Sequence, residues 1–486
     1  MTSTTSNVVD GVVRQPPTGI KVIIVGAGLA GLCMGIESWR KGHDVEIIER
    51  STSITQTGDI IGLGPHAWCT LREYPKMFEE WTRIDYDTEV HVCQQDGSLA
   101  IPKREFEWNL EGTAQHAAWP LKVSGCFFRR DVALMFFAQA QRLGIPITFG
   151  VGVTKYLEDP ARGLAIIHTD VGQEMSADIV VAADGLGTKS HSVVLGYPTR
   201  AVSTGYCVDR AAYPVSVLKD SPVLLKAISE LGRPQWRMYN GDRCHIVVCI
   251  TKDRVAINST HEDDGTATES WSTGVTPEQM AAALPNLESW DPLLVEAIKN
   301  TPPDNIVRWK LCLRNPQPKW TSATGRVVQV GDAAHSLLPT SANGAAMALE
   351  DSISLAECLR LGGKEGAAVA TRVHRSLGAY QRTALIQHCG FVNRRELHNT
   401  SMKEVTDGGN AFLFYGKWLW QHNAEKYAAA NFEAARQSIE LGSVFKNTNL
   451  PRGHVFEDWT MESELEKEKA GIFVQDLKTN GEWTLL

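Results

Sequence analysis

The chain has 486 residues, of which 43% are hydrophobic and 21% charged, and its formal net charge is −8. This length predicts two or three domains rather than one, and the composition is that of a globular protein without large biased segments. The negative charge argues against nucleic acid or an anionic membrane surface as a partner. The ten cysteines form no CxxC pair, so the sequence predicts neither a metal site nor a disulfide framework.

The N-terminal segment shows no recognised targeting pattern. Residues 1–20 are polar and carry Arg14 as their only basic residue, so we expect a disordered tail rather than a secretory or transit signal. The longest apolar run, 22–36, contains four glycines and is too short to span a membrane. A cytoplasmic location is therefore the default expectation.

The segment KVIIVGAGLAGLCMGIESWRKGHDVEIIER, residues 21–50, predicts a strand, a glycine turn, a helix and a second strand. Gly26 permits the tight turn, Gly28 lets the backbone approach a pyrophosphate, and Gly31 lets the helix lie close to the strand. The helix N-terminus offers unpaired N–H groups to the phosphates. Glu49 ends the second strand, where a carboxylate would accept from ribose hydroxyls. This segment predicts a dinucleotide-binding fold.

Two later apolar strands each end in an aspartate beside a glycine. ADIVVAADG ends at Asp184 and Gly185, and GRVVQVGDAAH contains Gly331 and Asp332 after its apolar run. Ligands of open α/β sheets bind at the carboxyl ends of the strands. The ribityl chain of a flavin needs an acceptor for its hydroxyls, and Asp332 is the candidate. These strand ends favour a flavin over a nicotinamide as the tightly bound dinucleotide.

The segment GDAAHSLLPTSANGAAMALED has small residues where a catalytic segment usually carries a nucleophile. Pro339 stiffens the loop, and Ala342–Ala346 are predicted to begin a helix that runs to about Leu359, where Gly362 and Gly363 would stop it. Small residues at the helix start would let backbone N–H groups reach a planar ring. A helix N-terminus there stabilises the negative charge of a reduced flavin by roughly 1 kcal/mol.

With these motifs in this order, the chain resembles the FAD-dependent aromatic hydroxylases, the single-component flavoprotein monooxygenases that include para-hydroxybenzoate and salicylate hydroxylase. The resemblance runs from about Lys21 to Tyr380. It rests on GAGLAG, ER at 49–50, GLGP at 62–65, RRDV at 129–132, ADGLGTKS at 183–190 and the segment that begins at 331. ESW at 269–271, WDP at 290–292, RW at 308–309 and Trp320 are similar to the fungal, salicylate hydroxylase-like branch.

The resemblance implies which residues bind FAD. They are Gly26, Gly28, Ala30, Gly31, Glu49, Arg50, Gly62, Arg129, Asp184, Gly185, Asp332, Pro339, Ala342, Asn343 and Gly344.

Within this set, the resemblance assigns Arg129 to the flavin phosphate or ribityl region. It assigns Asp184 and Gly185 to a motif shared between FAD and NAD(P)H. Two positions depart from that motif, because Thr188 and His191 stand where the family usually has Ser and Arg. In the last motif, the family often has Gly-Gln-Gly at 342–344.

The resemblance also implies the architecture, an α/β fold like that of para-hydroxybenzoate hydroxylase. A Rossmann-like FAD-binding domain would comprise residues 21–195 and 321–370. An inserted mixed β-sheet substrate domain would comprise 201–320, with a hairpin near 88–102 whose turn is Asp96-Gly97. Residues 371–486 would form a helical C-terminal region in which Trp418 and Trp420 fill a core.

The implied activity is an NAD(P)H- and O2-dependent monooxygenase reaction. NADPH or NADH would reduce FAD transiently, and one oxygen of a C4a-hydroperoxyflavin would pass to a small aromatic or indole-type molecule by hydroxylation, epoxidation or oxidative decarboxylation. Arg210, Tyr239 and His245 are the candidate catalytic residues, because a cation or imidazole beside a phenol favours the phenolate. Two alternatives stay open: an FAD-dependent reductase or dehydrogenase of an unsaturated substrate, and a non-catalytic FAD-binding redox protein.

Overall fold

The computed structural model describes residues 7–54, 59–113, 118–218, 221–268, 274–399, 415–470, 477 and 479–483. The strands are β1 (Val8–Val9), β2 (Val12–Val13), β3 (Lys21–Val25), β4 (Asp44–Glu49), β5 (Ile60–Leu63), β6 (Glu89–Cys93), β7 (Gly125–Phe128), β8 (Ile147–Phe149), β9 (Val153–Asp159), β10 (Leu164–Thr169), β11 (Glu174–Ala177), β12 (Ile179–Ala182), β13 (Val202–Pro214), β14 (Gln235–Gly241), β15 (Cys244–Ile250), β16 (Arg254–Glu262), β17 (Val307–Leu313) and β18 (Val327–Gln329). The helices are α1 (Leu29–Arg40), α2 (Pro75–Ile84), α3 (Arg129–Arg142), α4 (His191–Val194), α5 (Pro222–Ser229), α6 (Pro277–Ala282), α7 (Pro292–Lys299), α8 (Gly344–His374), α9 (Tyr380–Asn399), α10 (Lys417–Trp420), α11 (Ala424–Leu441) and α12 (Met461–Lys469).

A five-stranded parallel sheet forms the centre of the Rossmann-like domain, in the order β18-β12-β3-β4-β8. Its strands are continuous apolar runs because helices and other elements cover both faces. β12 and β18, which lie far from β3 in sequence, pair side by side next to it. The segments that follow β3, β12 and β18 therefore leave the sheet at the same edge. An antiparallel sheet, β11-β10-β9, lies beside this domain.

A six-stranded mixed sheet, in the order β17-β13-β16-β15-β14-β6, lies in the region where the resemblance places a substrate domain, and we call it the substrate sheet. Its last strand is β6, which pairs in parallel with β14. A turn at 94–97 follows β6, at the position where the sequence predicts a turn of Asp96 and Gly97. The outer face of this sheet packs on α5, α6 and α7 in one hydrophobic cluster. The inner face packs on β5 and β7 of the FAD domain in another. Each strand of the sheet therefore divides its side chains between these two environments.

One sequence prediction needs correction. Residues 8–13 form a hairpin of β1 and β2, and Val12 is fully buried, so the described part of the predicted disordered tail is ordered. The predicted stop of α8 is confirmed. Gly363 adopts φ 61° and ψ −176°, a non-helical conformation, so the range 344–374 consists of two helical segments that meet at this glycine.

The C-terminal region is helical, as the sequence predicts for the residues after 371. A π-helical turn, Arg375–Ala379, joins α8 to α9, and α11 packs along α8. Trp420 is almost fully buried. Trp418 contacts the ring of Tyr415 and packs against the small hydrophobic cluster to which Tyr415 belongs. In the described part of the chain, no helix is both long and apolar enough to cross a membrane.

Candidate flavin site and active site

The glycines of the turn between β3 and α1 differ in the space around them: Gly26 and Gly31 pack against backbone atoms, whereas Gly28 faces open space where a phosphate would lie. Gly26 has φ +105°, and a Cβ there would lie 2.4 Å from the Ala183 carbonyl oxygen. A Cβ on Gly31 would lie 1.8 Å from the Gly26 carbonyl oxygen. A Cβ on Gly28, by contrast, would meet no atom within 4 Å. The geometry fits a cradle for a pyrophosphate at the N-terminus of α1.

Glu49 is fixed beside this turn by the backbone. Its Oε2 accepts from the Ala27 N–H at 2.7 Å, and its Oε1 accepts from the Ser51 N–H at 2.8 Å. A carboxylate has about four acceptor sites, so both oxygens can still accept from ribose hydroxyls. Arg50, the next residue, is exposed.

The N-terminal glycine turn and the segment that begins at 331 come together at Gly331. This residue has φ +58°, and a Cβ there would lie 3.1 Å from the Ala30 Cβ and 3.2 Å from the Ala348 Cβ. Ser352 on α8 donates to the Ala30 carbonyl at 2.9 Å. The start of α1, the end of β18 and helix α8 are therefore in contact.

Two residues that sequence reasoning did not single out anchor this turn. The Gly331 N–H donates to Asp351 Oδ2 at 2.9 Å, and His335 Nε2 lies 2.6 Å from the same oxygen. Burial alone would raise the pKa of Asp351, but the charge and hydrogen bond of His335 hold that pKa below its usual range. The sequence signal that could have found this contact is the presence of a histidine, His335, and an acid, Asp351, within the single motif 331–351.

Asp332 lies in a cluster of two acids and two arginines at the junction of the domains. The Arg129 backbone N–H donates to the Asp59 carbonyl at 2.8 Å, and Arg210 Nη1 lies 3.6 Å from Asp59 Oδ1. Burial lowers the pKa of Arg129, and the nearby charge of Asp59 opposes that shift. The side chain of Asp332 is accessible to solvent inside a recess of protein atoms. Desolvation in that recess raises its pKa, while positive charges that include Arg129 and Arg210 oppose the rise.

Asp184 lies at the end of β12, as the sequence predicts, and a tyrosine holds it in place. Tyr156 on β9 donates its hydroxyl to Asp184 Oδ2 at 2.7 Å. Asp184 Oδ1 is buried and has no hydrogen-bond partner among the described residues. Burial is the largest cause of the raised pKa of Asp184. Gly185 follows with φ +72°, a conformation that favours glycine.

Arg314 joins the two aspartate loops and was also missed by sequence reasoning. Its Nη1 donates to the Leu186 carbonyl at 2.8 Å, and its Nη2 donates to the Asp332 carbonyl. The residue is almost fully buried. His191, where the family usually has an arginine, lies near this guanidinium; burial and the Arg314 charge lower its pKa to about 4. A neutral imidazole therefore replaces a cation at that position.

The loop before α8 approaches β5 through Gly62. A Cβ on Gly62 would lie 2.3 Å from the Ala342 carbonyl oxygen. Ala342 itself has φ 52°, a left-handed conformation that fits the glycine often found there in the family. Asn343 donates its side-chain N–H to the Ser341 carbonyl at 2.6 Å. Pro339 begins the preceding 3-10 turn and Gly344 begins α8, so the small residues lie where the sequence predicts the ring site.

The structure separates the three predicted substrate residues. Arg210 and His245 lie on the inner face of the six-stranded sheet, because their neighbours Ala211, Cys244 and Ile246 belong to the outer cluster. Tyr239 itself belongs to the outer cluster.

The prediction for Tyr239 is therefore wrong. Its hydroxyl donates to Asp291 Oδ2 at 2.7 Å and accepts from Arg237 Nε at 2.7 Å, on the face that turns away from the flavin domain. Asp291, from the WDP motif, also caps α7. The ESW motif at 269–271 lies outside the described residues.

The residues present fit FAD. The open cradle at Gly28 would hold a pyrophosphate, and Glu49 and Asp332 would offer carboxylate acceptors to ribose and ribityl hydroxyls. Helix α8 begins at Gly344, directly after the loop that the resemblance assigns to the ring, so its N-terminus would face the ring. In the described part of the chain, no group of three or more His, Cys, Asp or Glu could hold a metal ion.

Comparison with known proteins agrees with this site. A family model described as FAD binding domain matches residues 125–370, and one described as NAD(P)-binding Rossmann-like domain matches residues 24–84. The chain is 37% identical over 484 residues to FAD-dependent monooxygenase fsr3 of Gibberella fujikuroi, covering 97% of this chain and 91% of that protein. It is 36% identical to FAD-dependent monooxygenase AacuC of Aspergillus aculeatus, covering 97% and 94%.

Solved structures show the same architecture. FqzB superposes with a TM-score of 0.78 at 25% identity, covering 91% of this chain and 99% of that chain. CtdE in complex with FAD and its substrate 4 gives a TM-score of 0.77 at 27% identity, covering 86% and 99%. A salicylate hydroxylase substrate complex shares the fold, with a TM-score of 0.61 at 18% identity. From the flavin site, the family match and these relatives, we conclude that the chain belongs to the FAD-dependent monooxygenases and is a flavin-dependent oxygen-transferring enzyme.

Proposed function

We propose that the enzyme transfers one oxygen atom to a small aromatic or indole-type molecule held between the inner face of the six-stranded sheet and the flavin domain. The observation that carries this proposal is the position of Arg210. Its side chain lies in the middle of that inner face and approaches Asp59 beside Arg129 and Asp332. It is the predicted substrate residue that lies next to the flavin site.

FAD, when bound, supplies the redox chemistry and the activation of O2, with NAD(P)H as the source of electrons. The protein supplies position and charge. A guanidinium beside a phenol stabilises the phenolate oxygen, which makes the ring a better nucleophile at its ortho and para carbons. A guanidinium has five N–H donors and no acceptor, so Arg210 holds the phenolate oxygen and does not remove the proton.

His245 is a weaker candidate for proton transfer than the sequence suggests. Its Nδ1 lies 2.8 Å from His398 Nε2, and burial lowers the pKa of His245 to about 4. An imidazole with that pKa is a poor proton acceptor near neutral pH. We therefore assign His245 to positioning on the inner face rather than to deprotonation.

Exclusion of water is the second contribution of the fold. The inner face next to Arg210 is sealed against β5 and β7 by Ala212, Ala256, Trp236 and other apolar side chains. A dry pocket favours oxygen transfer to the ring over release of hydrogen peroxide.

The test is substrate-stimulated NAD(P)H oxidation measured across phenols, salicylates and indoles, with oxygenated product identified by mass. We expect Arg210→Ala to lower the stimulated rate at least about a hundredfold while the FAD content stays intact. Arg233→Ala, at an exposed ion pair with Asp87 and Glu105, is the matched control and should leave the rate unchanged. An unchanged rate in Arg210→Ala would remove this residue from the site.

The same assay separates the proposal from a reductase or dehydrogenase. A reductase would consume NAD(P)H in the presence of an unsaturated substrate without O2, whereas the proposed reaction stops in an anaerobic cuvette after a single reduction of the flavin. The names of the relatives favour oxygen transfer over this alternative and over a non-catalytic redox protein.

A further inference from the structure

On the inner face of the six-stranded sheet, the row of side chains that packs on the flavin domain is apolar, and the rows next to it along the strands contain polar side chains. One cross-strand row, which packs on the flavin domain, consists of Ala212, Ala256, Cys249 and Trp236. The next two rows, which we name the polar rows, consist of Arg210, Asn258, Val247 and Met238, and of Val208, Thr260, His245 and Asn240.

Two asparagine side chains in the polar rows have unused hydrogen-bonding atoms. Asn240 is 8% exposed, and neither its Oδ1 nor its Nδ2 has a hydrogen-bond partner in the described part of the chain. Asn258 as a whole is half-buried, but its Oδ1 is buried and also has no hydrogen-bond partner in the described part of the chain. Folded proteins leave few buried polar atoms unpaired, because each one loses its bond to water without a replacement. These amides are therefore candidates for contacts with a ligand.

The unpaired amides lie next to the residues already placed in the active site. Asn258 is directly opposite Arg210 in the pairing of β13 with β16. Asn240 is directly opposite His245 in the pairing of β14 with β15. His245 in turn contacts His398 on α9, and the His398 Nδ1 is a fourth buried atom with no described partner. The unused atoms thus lie on the face of the sheet that α9 contacts, on the side of Arg210.

This face of the sheet offers one cation, Arg210, which the proposed function assigns to the phenol oxygen of the substrate. Arg394 on α9 lies 3.4 Å from Glu468. Burial lowers the pKa of His245 to about 4 and that of His398 to about 2, so both imidazoles are neutral near pH 7. A carboxylate on the same ring as that phenol would lose its hydration without gaining a second cation that is not already paired with an acid.

We propose that Asn240 and Asn258 determine specificity by binding the hydroxyl and carbonyl groups of a neutral, oxygenated aromatic substrate, which the enzyme selects over aromatic carboxylates. An amide presents a donor and an acceptor side by side, so two amides complement a ring that carries both phenolic O–H and ketone C=O groups. The inference rests on the proposed function, because it names the substrate class for the same pocket.

A matched pair of probes tests the selectivity. The FAD-loaded protein is titrated with 1-hydroxy-2-acetonaphthone and with 1-hydroxy-2-naphthoate, which differ in a ketone against a carboxylate, and binding is followed by the flavin absorbance. We expect the ketone to bind at least about tenfold more tightly. Asn240→Leu and Asn258→Leu should each weaken ketone binding about tenfold and leave the FAD content unchanged. Asn431→Leu on α11, far from the sheet, is the control and should bind both probes like the wild type.

A second measurement needs no aromatic ligand. If the Asn240 amide has no partner inside the protein, Asn240→Leu should leave the Tm of the FAD-loaded enzyme unchanged or raise it. Asn109→Leu provides the contrast, because the Asn109 amide donates to the Val123 carbonyl and accepts from the Val123 N–H. That variant should lower the Tm.

Three outcomes would overturn the inference: equal binding of ketone and carboxylate, unchanged ketone binding in both asparagine variants, or a lower Tm in Asn240→Leu. Equal stimulation of NAD(P)H oxidation by both probes contradicts the inference alone and leaves the proposed function intact. Failure of every phenol, salicylate and indole to stimulate NAD(P)H oxidation would instead contradict the proposed function.

Discussion

The parallel flavin sheet and the mixed substrate sheet place functional residues in different ways. In the parallel sheet, the functional positions follow the carboxyl ends of strands, which all lie at one edge. In the mixed sheet, they lie in the middle of strands, where neighbouring residues face opposite sides. A site in the first sheet therefore follows from where a strand ends. A site in the second depends on a register that a single residue can invert.

Tyr239 and Asn240 show this difference in one step of the chain. Tyr239 carries a chemically attractive hydroxyl but lies in the outer cluster, bonded to Asp291. Asn240, the next residue, faces inward with its amide unpaired among the described residues. By contrast, Asp184 and Asp332 lie at the sheet edge that the sequence predicts, whatever their exact position after the strand.

The largest expected effect distinguishes two glycines of the flavin turn. Gly31→Ala places a Cβ 1.8 Å from a backbone oxygen, so we expect a loss of more than about 4 kcal/mol in the free energy of unfolding and a protein purified without flavin. Gly28→Ala places its Cβ in open space. That variant should keep the apoprotein Tm of the wild type and yet bind FAD at least about tenfold more weakly, because the methyl occupies the phosphate cradle. Equal apoprotein Tm values for the two variants would contradict this interpretation of the turn.

The inner face of the substrate sheet should make the protein sensitive to acid. Because the pKa of buried His245 is lowered to about 4, protonation favours the unfolded chain, and stability present above pH 6.5 is lost as the pH falls toward 4. Between pH 7 and pH 5 this histidine should cost about 2 kcal/mol. Chemical denaturation at the two pH values measures the loss, and His245→Gln should reduce it. His168→Gln, at a residue whose side chain is 41% exposed, should not.

A smaller effect tests the outer face of the same sheet. Tyr239→Phe removes one hydrogen bond to Asp291 and one from Arg237, so we expect a loss of about 1–2 kcal/mol in the free energy of unfolding. Substrate-stimulated NAD(P)H oxidation should stay at the wild-type rate at temperatures well below the Tm. A large fall in that rate with unchanged stability would return Tyr239 to the active site.

The smallest effect concerns Asp332. Because desolvation by the surrounding protein raises the pKa of Asp332, its ionised form destabilises the folded apoprotein, and Asp332→Asn should raise the apoprotein Tm slightly at pH 7. The gain should disappear as the pH falls below the ordinary carboxyl pKa of about 4, where both states are protonated. The same substitution should weaken FAD binding. A lower apoprotein Tm in Asp332→Asn at pH 7 would contradict the assigned direction.

The sequence was sufficient to predict the FAD-binding fold because its signals are local. Gly26, Gly28 and Gly31 occupy a single turn, and each strand end is followed at once by its aspartate. The anchors of those strand ends were not predictable in the same way. Tyr156 on β9 and Arg314, which follows β17, reach the loops from other parts of the chain, and no spacing rule connects them. Asp351 lies in the same motif as Gly331, but nothing in that motif says which acid the turn contacts.

In the substrate sheet, alternation gives two possible faces and the sequence does not say which is the inner one. Both faces carry buried residues, since helices cover one and the flavin domain covers the other. The pattern of apolar and polar residues therefore fails to distinguish Tyr239 from Arg210. Helix α8 shows the opposite case: the sequence predicts a break at Gly363, and Gly363 is non-helical because the signal is local.

Arg314 couples the two aspartate loops to each other. Since one guanidinium donates to the carbonyls of Leu186 and Asp332, neither loop can shift alone without breaking a buried hydrogen bond to the other. The spacing of the two loops would therefore stay constant when FAD binds or is released.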